Sequence, residues 1–102
     1  MTLEDKINNF TFNGESIPDH MIEGIVMYIE HGVIPGDFLQ AVISNDLKGA
    51  ARHADHANLP RLHVYAALLY NIFPASSQGS KEIMMSWSKY KTEVRNAINL
   101  HR

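Results

Sequence analysis

GVIPGDFLQAVISNDLKGAARHADHAN, residues 32–58, is the stretch on which the fold of this chain turns. Pro35-Gly36 breaks the backbone and opens an amphipathic run. Proline at the start of a helix forfeits nothing, because its missing N–H would have had no intrahelical partner. Asp37 follows, where a carboxylate favours the positive end of the helix. Phe38, Leu39, Val42, Ile43, Leu47, Ala50, Ala51 and Ala54 then recur at helical spacing. Ser44-Asn45-Asp46 interrupts them with three residue types that compete for nearby backbone groups. This predicts a kink or break, with Ser44 or Asn45 recapping a shorter helix over 46–54. Gly49 inside that piece costs about 1 kcal/mol relative to Ala, which predicts the close approach of another backbone.

Three further helices flank this segment. The first is expected from Pro18 to His31, buried through Met21, Ile22, Ile25, Val26 and Ile29 and ended by Gly32 in the left-handed cap position. Another runs from Leu59-Pro60 to Phe73 on Leu62, Tyr65, Ala66, Leu69 and Ile72, with Pro74 as its stop. After the polar link 75–79, Ser80 is a good N-cap for a last helix reaching Asn99. Its Ile83, Trp87, Tyr90, Val94 and Ala97 repeat at 4-3-4-3, a narrow seam suited to packing on one neighbouring helix. Ahead of all this, Thr2 could cap one short turn, and Phe10-Thr11-Phe12 alternates into the turn dipeptide Asn13-Gly14. With no second strand pattern nearby, residues 1–16 read as an extended arm packing its phenylalanines on the helices, or pairing with the arm of another subunit. The expected fold is all-α: four to five short helices in bundle-like or orthogonal packing, as one domain over 17–102 with that arm.

Composition narrows the classes. A chain of 102 residues with 45% hydrophobic and 20% charged residues holds one core without staples. It has no cysteine, which removes disulfides and thiol chemistry. The net charge of −2 argues against broad binding to nucleic acid or anionic lipid. Neither a signal peptide nor an apolar run near the ~20 residues of a membrane span is visible. A cytoplasmic protein without membrane partners is expected.

Candidate chemistry is sparse. His53, Asp55, His56 and His63 approach metal-ligand spacing, but the first three fall at a helix end and no common face follows. Asn45, Asp46, Asp55 and Asn58 are turn and capping residues, and Ser44 and Ser80 lack nucleophile context. No catalytic residue, metal or cofactor is expected. Lys48, Arg52 and Arg61 form a local basic group, an alternative nucleic-acid-binding face. A protein-binding surface is the stronger expectation. Met27, Tyr28, Tyr70, Met84, Met85 and Trp87 lie on or beside the apolar stripes, and these residue types adapt to partners and dominate interface hot spots. Four helices with wide apolar faces also leave more hydrophobic surface than a small core absorbs, an excess that a homodimer or another partner would cover.

Together the landmarks resemble a family of small phage- and prophage-encoded helical proteins of uncharacterised function. The resemblance rests on Ile17-Pro18, the run Tyr28 to Gly32, and Pro35-Gly36-x-Phe38-Leu39-x-Ala41-Val42-Ile43-x-Asn45-Asp46-Leu47. Ala54-Asp55, Asn58, Leu69-Tyr70-Asn71, Pro74, Gly79-Ser80 and Trp87 complete it, over residues 17 to 88. It implies a phage accessory product in the host-cell cytoplasm that binds a host or phage protein, with an anti-CRISPR-like role as one concrete version. It implies no catalytic set, and the three histidines 53, 56 and 63 stand outside its pattern.

Overall fold

The computed structural model describes residues 1–100, the last by its backbone alone; the final two residues of the expected 17–102 domain lie outside the described residues. Its order is α1 (Leu3–Asn9), β1 (Thr11–Phe12), β2 (Glu15–Ser16), α2 (Asp19–His31), α3 (Asp37–Ile43), α4 (Leu47–His53), α5 (Leu62–Asn71) and α6 (Lys81–Leu100). Single 3-10 turns at Leu59–Arg61 and Ala75–Ser77 lead into α5 and α6. The molecule is thus mostly helical, as expected, but it is not purely all-α.

The correction lies in residues 1–16, which do not form an extended arm. Thr2 and Asp5 exchange side-chain and backbone bonds in a capping box, which starts α1. Ile7 on that helix is fully buried. Asn13 and Gly14, both at positive φ, then turn β1 back onto β2 in an antiparallel pair, Thr11 opposite Ser16 and Phe12 opposite Glu15. The strand's partner is therefore in its own chain. Glu15-Ser16 carries no hydrophobic alternation, so the second strand left no trace in the pattern.

The expected split in the central segment is present. Asn45 sits at φ +62 between α3 and α4, and the Asp46 carboxylate caps α4 by accepting the Gly49 N–H at 3.0 Å. Asp46, and neither Ser44 nor Asn45, is the cap. A Cβ at Gly49 would run into the Asp46 carboxylate, its own helix cap, and would come within 3.3 Å of Ala41 Cβ on α3. α2 closes at Gly32, φ +72, as the pattern indicates.

One core joins Ile7, Ile22, Ile25, Tyr28, Phe38, Leu39, Ile43, Val64, Tyr65, Leu68 and Met84. Tyr28, expected on the surface, is fully buried and donates its hydroxyl to the Ser77 carbonyl at 2.6 Å. Burial pushes its phenol far above the ordinary value. Met84, also expected outside, sits inside with its sulfur 3.8 Å from the Ser44 hydroxyl.

α6 is held to α2 by a short latch. The Trp87 indole N–H donates to the Tyr28 carbonyl at 3.2 Å, and the Ser88 hydroxyl donates to the Gly32 carbonyl at 2.6 Å. Gly32 permits this closeness, because a Cβ there would lie 2.7 Å from the Ser88 carbonyl oxygen and 2.8 Å from Lys91 Cβ. The conformational and steric demands coincide at one residue. Gly32→Ala is accordingly expected to lower stability by about 2–4 kcal/mol in urea denaturation. Ile7→Ala should cost about 2–5 kcal/mol in the same assay, whereas an undocked arm would leave the midpoint unmoved.

Candidate functional site

The latch fixes which face of α6 looks inward. Met84, Ser88 and Lys91 turn toward α2 and α3, with Trp87 half-buried at the edge. At about 100° per residue, the 4-3-4-3 seam then lies on the flank of the helix, about a quarter turn from the buried face, with its Trp87 against α2. Ile83 (39% exposed), Tyr90 (55%), Val94 (37%) and Ile98 (57%) form a ridge along this flank of the helix, joined by the exposed Ala97. Packing of the seam on one neighbouring helix was the expectation; Trp87 meets it against α2, while the latch at Gly32 leaves Ile83, Tyr90, Val94 and Ala97 beside the contact. The ridge was legible as a periodicity, but its exposure depends on a contact 56 residues away in sequence.

Aromatic groups organise its upper part. Trp87 and Tyr90 have ring centroids 5.8 Å apart, and the Lys91 ammonium lies 5.0 Å from the first and 5.8 Å from the second. Such a cation over two rings holds them in place. Beyond them, a groove of about 330 Å³ runs between the end of α2, at Glu30 and His31, and Lys91, Val94, Arg95, Ile98 and Asn99. The C-terminal turns of α6 extend past the body here, which agrees with the long 45 Å dimension of the molecule.

The other protein-binding candidates scatter. Met27 is half-buried, Met85 is half-exposed on a different side of α6, and Tyr70 on α5 is almost wholly exposed. Tyr28 and Met84 belong to the core. Trp87 alone of that set lines the ridge.

The polar constellation around Asn58 is structural. The Asp55 carboxylate accepts the Asn58 N–H at 2.8 Å and pairs with His20 at 3.0 Å. Buried Asn58 in turn accepts the Tyr65 hydroxyl at 2.5 Å, and Phe38 meets the Tyr65 ring edge-on at 5.0 Å. Burial, and then the Asp55 charge, hold the Tyr65 phenol well above its ordinary value. The Asn58 N–H first, and then His20, hold the Asp55 carboxyl below the usual carboxylate range. Asp46 is occupied at its own helix cap, so the two carboxylates serve separate turns.

His63 pairs with Glu15 at 2.9 Å and lies against Phe12, tying the hairpin to α5. His53 and His56 are exposed. Among the described residues, no three His, Cys, Asp or Glu side chains converge as a metal site. Nor, among them, is any helix long and apolar enough to cross a membrane. Of the basic trio, Lys48 and Arg52 are exposed on α4, but Arg61 is folded inward to donate to the Ala57 carbonyl at 2.6 Å. The trio is thus not one free basic face.

Beside an open, polar hollow of about 460 Å³ lined by Asp37, Ser44, Asp46, His53, Ser80 and Lys81, two smaller ones lie on the body. The hollow between α3, α4 and α5 holds about 100 Å³ and is lined by Ala41, Val42, Leu47, Leu62 and Leu69 with the Asn45-Asp46 cap. A second, of about 200 Å³, lies over Asp37, His53, Asp55 and Asn58. Compared with known proteins, the chain matches no family model, no curated protein and no solved structure.

The Asp55 turn yields a pH prediction. A carboxyl held low in the folded state contributes stability above its unfolded value, about 3.9, and loses that contribution as pH falls through the lower native value. The margin of wild type over Asp55→Asn in urea unfolding should be constant from pH 7 to 5 and shrink below about pH 4.

Proposed function

We propose that this protein is a binding factor of phage or prophage type that acts by occupying another protein rather than by turnover. The observation that carries this reading is the exposed ridge of α6. Five apolar side chains, from Ile83 to Ile98, line the flank of α6 and are left partly or largely exposed beside a core filled by other residues. The charges that solubility requires lie on the adjoining outer face, at Glu82, Lys89 and Glu93. A helix or groove on a host or phage protein is the natural counterpart of such a ridge. Engagement there would modulate host machinery or a host defence system, an anti-CRISPR-like action being the concrete form. The PGxFLxAVxxNDL resemblance supports the phage setting, and the engagement of Asp46, Asp55 and Asn58 in turns supports a non-catalytic role.

Immobilised wild type should capture a specific protein from bacterial lysate. Tyr90→Glu combined with Ile98→Glu should weaken that capture at least about 30-fold, the scale of an interface hot spot. Quantitative mass spectrometry followed by calorimetry on the purified pair would measure it. Equal capture by wild type and variant would contradict the reading.

A further inference from the structure

The ridge presents a charge pattern that identifies an occupant. Seen down α6 at about 100° per residue, Glu82 and Glu93 follow one edge of the seam. Lys91 flanks the other edge, and Arg95 and Lys89 lie about equally far round on the basic and acidic sides, so that the two edges carry net positive and net negative charge. A seam with one acidic and one basic edge is self-complementary only in parallel. Two copies related by a two-fold axis along the helices bring the acidic edge of each against the basic edge of its mate. An antiparallel pair would set like charge against like.

We infer that the occupant of the ridge is the α6 helix of a second copy, packed in parallel and in register. This inference rests on the reading of the ridge as a docking surface and gives that surface to a second copy, so that a host or phage protein would meet the dimer and not the bare ridge. Area agrees with it. From their exposed fractions, Ile83, Tyr90, Val94 and Ile98 offer on the order of 400 Å² per copy, before Trp87 and Ala97 add to it. A stable interface buries about 800 Å² per partner, and about 65% of that is apolar in homodimers. The ridge and its charged edges together reach that scale.

The geometry accommodates the pairing. Each body lies on the basic side of its own α6, where Lys91 packs against Gly32, so a parallel axis places the two bodies on opposite sides of the helix pair. The acidic edge of the second copy then approaches the groove walled by Glu30, His31, Lys91 and Arg95, where Glu30 is paired with His31 and the two α6 cations face the incoming carboxylates. Val94 occupies a seam position that meets its own counterpart across the axis. In antiparallel pairing, by contrast, it would face a different residue.

Sedimentation equilibrium and oxidative cross-linking test this on the whole chain. Wild type should sediment with twice the 11.5 kDa mass of the chain. Val94→Glu should raise the dissociation constant at least about 30-fold while leaving far-UV helicity unchanged, since the side chain lies outside the core. Because the chain has no cysteine, Val94→Cys should form a disulfide-linked dimer on mild oxidation. Wild type that stays monomeric at high concentration, a dimer unaffected by Val94→Glu, or a dimer in which Val94→Cys fails to cross-link would each overturn the inference. A monomer that still captures another protein through the ridge would defeat self-pairing and leave the proposed function standing. A dimer with nothing captured would do the reverse.

Discussion

The contact between Gly32 and α6 governs the rest of the molecule. A left-handed cap ends α2 where the next helix must pass, and the absent Cβ lets the Ser88 backbone come within a distance no side chain would permit. Two hydrogen bonds, from Trp87 to the Tyr28 carbonyl and from Ser88 to the Gly32 carbonyl, then set the rotation of α6. Tyr28 is tied at both ends, since its hydroxyl is bonded to the turn that precedes α6. Rotation is the consequential variable. A shift of about one residue, 100° of turn, would bury the seam and expose Met84.

Away from that contact, many polar residues of the chain serve the backbone. Asp46 caps α4, Asp55 and Asn58 build the turn before α5, and Arg61 closes that turn from the other side. Each is satisfied locally. Among the described residues, no buried side-chain nitrogen or oxygen is left without a partner. Each of these groups holds a turn or a helix end, and the apolar surface left uncovered includes the flank of α6.

Helices with distinct punctuation were legible in the sequence. Gly32 ended α2, Ser44-Asn45-Asp46 split the central run, and Ser80 started the last helix, with its hydroxyl accepting the Ile83 N–H. These are local signals, decided within a turn or two. The N-terminal hairpin was half legible: Asn13-Gly14 announced the turn, but Glu15-Ser16 pairs through backbone alone and gave no alternation to read. The surface was least legible. Tyr28 and Met84 share the composition of an interface, and only long-range neighbours decide that they are covered. The 4-3-4-3 seam is the mirror case, a core-like pattern left beside the core because the latch favours an adjacent face.

The rotation of α6 decides which face is covered, and nuclear Overhauser spectroscopy measures it directly. Cross-peaks from the Met84 methyl to the Ser44 β protons, and from the Lys91 β protons to the Gly32 α protons, are predicted. Their absence, together with cross-peaks from the Tyr90 ring to Gly32, would place the seam inside and contradict the account.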